Sequence, residues 1–228
     1  MTTETARRAA RRAADRAPLT RERVLEAAIA LANQGGLESL SMRKLGQGLG
    51  VEAMAIYYHF TDKDEVIDVM VDLVFGEIDL PAAGPDWRPR MHRRALSLRD
   101  TLARHRWAIG LMESRRHPGP ASLRHHDAML GSLRASGFDL PMAAHAYSVL
   151  DGYIYGFALT KMSLPFDTSE EVAEVAQTML EPFRPDEYPN LVEFIEDHAM
   201  QPGYDFAAEF EYGLDLILDG LERARATA

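Results

Sequence analysis

In the stretch SMRKLGQGLGVEAMAIYYHF, residues 41–60, the apolar side chains Leu45, Leu49, Val51, Ile56 and Phe60 fall where two short helices crossing at a steep angle would bury them. Ser41 stands where it can cap the first of these helices, and Gly50 with Val51 makes a tight turn into a second over 52–59. Gly46 is small where the two helices must approach closely. Left outside are Arg43, Lys44, Glu52, Ala53, Ala55, Tyr57, Tyr58 and His59. Together they make a mixed polar and aromatic face that can enter a major groove, with cations beside it for phosphates.

Before this stretch, Thr20 can cap a helix over 20–34 that carries Val24, Leu25, Ala28, Ile29 and Ala32 and stops at Gly35-Gly36. On the other side, Thr61-Asp62-Lys63-Asp64 fits a Thr-x-x-Asp cap before the periodic run Val66, Ile67, Met70, Val74 and Ile78. The stretch PAAGPDWRP, residues 81–89, then breaks periodicity and marks a boundary. Beyond it the spacing predicts helices over 86–104, 106–116, 119–136, 139–163, 169–181, 188–200 and 203–225. They are separated by His117-Pro118-Gly119-Pro120, Gly137, Pro165, Pro182 with Pro185, and Pro202-Gly203. No alternation of period two survives long enough for a strand, so the fold class is all-α.

The 228 residues, 46% hydrophobic and 26% charged, suffice for two small domains sharing one body. Without cysteine there is neither a disulfide framework nor a thiolate metal site. The net charge of −10 argues against nucleic acid only as an average. Residues 1–63 carry ten Lys/Arg against seven Asp/Glu, leaving fifteen against twenty-eight for the rest. A basic end can therefore approach phosphates while an acidic body stays off them. The first eighteen residues hold Arg7, Arg8, Arg11, Arg12 and Arg16 and no apolar stretch, which reads as a flexible arm and not as a signal peptide. Leu140 to Leu159, interrupted by His145 and Asp151, is too polar for a membrane span. A cytoplasmic protein without a membrane partner is expected.

The longer run SMRKLGQGLGVEAMAIYYHFTDKDEV resembles the DNA-binding segment of the tetracycline-repressor (TetR) family, including the Tyr-aromatic-His-Phe run and the lysine just after it. The resemblance covers roughly residues 20–78. It implies an N-terminal helix-turn-helix three-helix domain joined to a larger helical ligand-binding and dimerisation domain. On this chain the parts are an arm over 1–18, the DNA-binding domain over 19–64, a connecting helix over 65–80 and the larger domain over 81–228. Carried over by position, Arg43 and Lys44 open the helix that crosses the backbone, Ala53, Met54 and Ala55 read bases, and Tyr57 and Lys63 hold phosphates. Two departures stand out. Gly46 and Gly48 lie within the second helix, where each costs about 1 kcal/mol relative to alanine. The apolar trio 53–55 touches thymine methyls without bidentate hydrogen bonds, leaving Glu52 and Arg43 for polar readout.

In the larger domain, 140–159 is apolar nearly all around, as in a helix buried on two sides. The last helix carries Phe206, Phe210, Gly213, Leu214, Ile217 and Leu221 in one stripe. A four-helix homodimer seam through Ile154, Phe210, Leu214, Ile217 and Leu221 is expected; the alternative is a monomeric core. Tyr147, Asp151 and Tyr155 follow at i, i+4 and i+8, placing two phenols around a carboxylate. That suits a small-molecule effector, mostly hydrophobic with an aromatic or cationic group, and equally an ordinary polar cluster of the core. Trp107, Met112 and Met129 line the same cavity or are plain core. His125 and His126 diverge by about 100° on one helix, poor geometry for one metal ion, and read as a solvated face. No metal or cofactor is expected. The resulting reading is a repressor released from a palindromic operator on double-stranded DNA by a small hydrophobic ligand. The rivals are an all-α enzyme using His117, His126 or Asp127, for which no nucleophile, zinc or nucleotide motif speaks, and an interaction module whose helix-turn-helix no longer binds DNA.

Overall fold

The Thr20 hydroxyl accepts the backbone N–H of Arg23 at 3.3 Å, and from this cap α1 (Arg21–Gly35) runs to the Gly36 stop. The computed structural model describes residues 18–81, 86–166, 168–181 and 187–227. The Arg-rich arm up to residue 17 and part of the boundary stretch, 82–85, lie outside the described residues. After α1 come α2 (Met42–Leu49), α3 (Ala53–Ile56), α4 (Lys63–Gly76), α5 (Trp87–Arg104), α6 (Pro120–Ala135), α7 (Leu140–Ser163), α8 (Ser169–Leu180), α9 (Pro189–Phe194) and α10 (Glu209–Thr227). Among the described residues there is no strand, and no helix is long and apolar enough to cross a membrane.

The local chemistry departs from expectation in three places. The cap of α4 is Asp62, one residue later than Thr61, because the Asp62 carboxylate accepts Glu65 N–H at 2.8 Å while Glu65 reaches back to Thr61 N–H at 2.6 Å. The helix expected over 106–116 is a 3₁₀ turn, Arg106–Ala108, followed by irregular turns. Gly110 weakens a helix there, and the segment is tied at both ends, by Trp107 to Asn33 and by Arg115 to Asp68. Finally, 188–200 divides into α9 and a π-helical turn, Ile195–Ala199, and a 3₁₀ turn, Phe206–Ala208, precedes α10.

One apolar core runs through both halves of the molecule. Val24, Leu25, Ala28, Leu45, Ile56 and Phe60 pack beneath the helix-turn-helix. On α4, Val66, Ile67 and Met70 continue that core, while Val74 and Phe75 lead into the body. There α5 presents Trp87, Met91, Ala95, Leu98 and Leu102 toward α7 and α10. Four of the five residues expected at the seam lie inside the chain instead. Ile154, Phe210 and Leu214 are 0% exposed and Leu221 8% within the single chain, so they pack α7 against α10 and α5 and are not offered to a partner. Ile217 is half-buried. A long apolar helix needs burial all round, and its own chain supplies more of that burial here than the pattern alone suggests.

Candidate nucleic-acid interface and effector site

The reading head is built by two small residues. Gly50 ends α2 at φ +71°, ψ +27°, the left-handed turn that glycine adopts without strain, and Val51 N–H bonds back to Gly46 O at 2.9 Å. A Cβ on Gly46 would stand 2.8 Å from Val51 O and 3.1 Å from Ala53 N, so only glycine lets α3 lie so close on α2. Ser41 caps α2 through Lys44 N–H at 3.2 Å. Ile56 and Phe60 anchor the head in the core, and Met54, Tyr57 and Tyr58 project at 67%, 45% and 86% exposure. Ala53, Ala55 and His59 are half-buried, and Glu52 is exposed and makes no side-chain cap bond to α3.

Arg43 and Lys44 are exposed at the start of α2, and Lys63 opens α4; among the described residues none of the three pairs with a carboxylate. Arg21 differs. It lies 4.1 Å over the Phe60 ring and bridges Glu65 at 3.0 Å, and this with the Thr61 N–H bond holds the Glu65 carboxyl below its ordinary range.

Behind the head, α4 is gripped by the body along its acidic face. Arg115 pairs with Asp68 and donates to Asp64 O at 3.3 Å. Asp72 accepts Ser122 N–H at 2.8 Å and so caps α6, an approach open only because residue 119 is glycine: a Cβ there would stand 2.2 Å from the Asp72 carboxyl carbon. At the far end Asn33 Oδ1 accepts Trp107 Nε1–H at 2.7 Å and lies 3.0 Å from His105 Nδ1. His105 Nε2 is 3.0 Å from Glu77, which also takes Arg104 at 2.9 Å. Burial opposes ionisation of Glu77, but these two partners keep its carboxyl below the ordinary value.

The effector residues divide. Tyr147, Asp151 and Tyr155 do share a face of α7, yet Asp151 is closed off by Arg94, 1% exposed, which bonds Oδ1 and, at 3.1 Å, Oδ2. Burial alone would weaken the guanidinium charge; Asp151 holds it protonated. Arg94 was not singled out by sequence. The signal was there: it sits at an inward position of the stripe Trp87, Met91, Leu98 and Leu102. Arg94 Nη2 also meets His125 Nε2 at 2.8 Å. His125 is buried, not a solvated face, because α4 and α5 cover it, and burial next to Arg94 pushes its pKa down to about 3. Its neighbour His126 bonds the Tyr147 hydroxyl, and Tyr155 donates to Glu113 at 3.0 Å. Burial drives both phenols well above their ordinary range. A cation seeking the Asp151 carboxylate therefore finds it already neutralised.

Met112 is buried beside Glu113 and His126 at a cavity of about 130 Å³, lined also by Val71, Phe75 and Ser122. Met129 is fully buried core. Trp107 lies apart, against α1. A larger cavity of about 520 Å³ opens between α5, the end of α7 and the start of α10, with Leu102, Ile109, Phe157 and Met162 inside and Arg99, Arg106 and Lys161 at its rim. Among the described residues no group of His, Asp and Glu is placed to hold a metal ion.

Comparison with known proteins covers both halves. The family description "Bacterial regulatory proteins, tetR family" matches residues 24–70, and "Tetracyclin repressor-like, C-terminal domain" matches 80–225. The HTH-type transcriptional repressor DrrR1 of Streptomyces coeruleorubidus is 33% identical over 216 residues, 90% of this chain and 77% of its own. The class A tetracycline repressor from transposon 1721 of Escherichia coli is 31% identical over 205 residues, 89% of this chain and 90% of its own. Among solved structures, ActR of Streptomyces coelicolor in complex with actinorhodin superposes with a TM-score of 0.74 at 28% identity, covering 92% of this chain and 99% of that one.

Proposed function

The chain belongs to the tetR family of bacterial transcriptional regulators, and on that premise we propose that it is a cytoplasmic repressor whose two copies read a near-palindromic operator and are released by a small, largely hydrophobic effector. The observation that carries the reading is the head itself. Exposed Met54 stands on a short helix fixed by Gly46 and Gly50, with exposed Tyr57 and Tyr58 in the turn just past its end, and among the described residues Arg43, Lys44 and Lys63 lie around it without carboxylate partners. In this reading Glu52, Ala53, Met54 and Ala55 face base edges, with Tyr58 and His59 beside them, and Tyr57 and Lys63 hold phosphates. Pairing of two copies uses the outward sides of α7 and α10, where Val149, Leu159, Tyr212 and Leu216 remain exposed. The effector enters beside Tyr147 and Tyr155, through the cavity bounded by α4, the 106–118 segment and α6. The complex of ActR with actinorhodin supports an effector in a body of this shape. To release DNA, the effector must prefer the state in which the heads no longer match two grooves.

The test is a DNA-binding titration over a range of salt, using the DNA upstream of the protein's own coding region against unrelated DNA. Wild-type protein is expected to prefer the upstream DNA by about 10³-fold or more. Tyr57→Phe and Lys63→Ala should weaken binding to every sequence alike, and Lys63→Ala should also lower the salt slope by about one counterion. Equal affinity for both DNAs, or a Lys63→Ala variant with changed preference and unchanged affinity, would count against the assignment.

A further inference from the structure

At four residues, α3 is too short to hold its place by its own helical hydrogen bonds, and the chain leaves it at Tyr57 to run without α-helix until Lys63. Ile56 and Phe60 fix this piece from the inside. From the outside it is held by one side chain of α1 and one of α4. Arg21, the first residue of α1, donates through Nη1 to His59 O and through Nη2 to Glu65 Oε1 at 3.0 Å, and its guanidinium lies 4.1 Å over the Phe60 ring. The other oxygen of the same carboxylate, Glu65 Oε2, accepts Thr61 N–H at 2.6 Å. One guanidinium and one carboxylate thus tie together the start of α1, the turn over 57–62 and the first turn of α4.

Resting on the assignment of Tyr57 and Lys63 to phosphates above, we propose that Arg21 is a positioning residue for DNA recognition. Paired with Glu65, it holds the 57–62 turn so that Tyr57 at one end and Lys63 at the other meet the DNA backbone together, and it touches no phosphate itself. The geometry points to placement and not to strength. Both side chains are well exposed, 43% and 34%, and an ion pair so placed adds little to folding. What it adds is direction. A guanidinium is a planar fork of donors, able to serve a carbonyl and a carboxylate at once while its face covers an aromatic ring, and Arg21 uses all three capacities. With Glu65 beside it the pair is neutral, so Arg21 offers DNA no net charge. Arg43, Lys44 and Lys63 differ in having no carboxylate partner among the described residues.

Two charge-conserving changes to the full-length protein test this: Arg21→Lys, which keeps the charge and loses the fork, and Arg21→Gln with Glu65→Gln, which removes both charges and keeps their sum. Each is titrated over a range of salt against the DNA upstream of the protein's own coding region and against unrelated DNA. Each should weaken binding to both DNAs by about tenfold or more, with a melting temperature close to that of wild type. Should one of them fold poorly, the other answers. Adding Lys63→Ala to Arg21→Lys should cost little further affinity, because a loosened turn no longer delivers Lys63, and the salt slope should fall by about one counterion in all. In the DNA-free protein, the Thr61 amide should exchange about tenfold faster in Arg21→Lys, while that of Met70 on the buried side of α4 holds. The inference is overturned by an unchanged Thr61 amide, or by Lys63→Ala costing as much in the Arg21→Lys background as in wild type. A slope lowered by about two counterions when Lys63→Ala joins the double glutamine variant would overturn it too, as the mark of a phosphate contact by Arg21 itself. Wild-type protein that binds neither DNA removes the repressor reading and this inference with it. Wild-type binding that Arg21→Lys leaves intact removes this inference alone.

Discussion

At the scale of single residues, the most consequential side chains of the body are the buried ionisable ones, and one of them makes a measurable demand on pH. His125 keeps a folded pKa of about 3 against an ordinary 6.5. Below pH 6.5 the unfolded chain takes a proton at this residue that the folded chain refuses, so folding is favoured above 6.5 and loses ground on acidification. The loss amounts to about 1.4 kcal/mol per pH unit from 6.5 downward, continuing toward pH 3. Denaturant melts of the wild type between pH 7 and 5 should slope accordingly, and His125→Gln should flatten the slope. Glu65 and Glu77 act in the same direction, but their carboxyls lie below 4.5 and leave that window clear. Equal slopes for the two proteins would mean that His125 is not held neutral. The sequence carried Tyr147, Asp151 and Tyr155 plainly, as residues four apart on one helix. Their counter-charge was harder to see, since Arg94 is embedded in a segment, Arg88 to Arg94, where cations are common and only the apolar register distinguishes an inward one.

Among the elements, the two glycines of α2 look alike in sequence and are opposite in structure. Among the described residues a Cβ on Gly48 meets nothing within 4 Å, whereas one on Gly46 meets the backbone of the turn and of α3. Gly48→Ala should therefore raise stability by about 0.5–1 kcal/mol with operator binding retained, the ordinary gain for an exposed helix position. Gly46→Ala should lower the melting temperature and abolish specific binding, because α3 must shift on α2. Paired thermal melts and DNA titrations check both; a harmless Gly46→Ala would show that the approach of the two helices is not needed. Helix existence was legible wherever caps and periodicity agreed, as at Thr20, Ser41 and the run from Val66 to Val74. It was not legible at 106–116, whose apolar spacing fits a helix but whose conformation is set by bonds to Asn33 and Asp68, far away in sequence. The cap of α4 slipped by one residue because Thr61 and Asp62 are both good caps, and the position of Glu65 decides between them.

For the whole molecule, the distinction between inner and outer faces of α10 becomes a test of pairing. Leu214 is fully buried in its own chain, while Leu216 and Tyr212, four residues apart, stand 55% and 68% exposed. Leu216→Glu should leave the fold intact and convert a micromolar-stable dimer to monomer, since burying an unpaired carboxylate in an apolar seam costs about 3–5 kcal/mol. Leu214→Glu should unfold the chain itself. Sedimentation with parallel melts reads both, and a wild-type monomer at micromolar concentration would end the dimer proposal. The sharing of α4 between the two cores bears on engineering as well. A hybrid regulator, made by fusing a foreign reading head to this sensing body, has no clean joint between residues 63 and 76. A splice inside that helix would separate Asp68 from Arg115, or place a new side chain opposite Gly119 where Asp72 must fit. Interchangeable heads should work only when the graft ends before Lys63 and the recipient's whole helix is kept, so that the foreign part inherits this body's own lever.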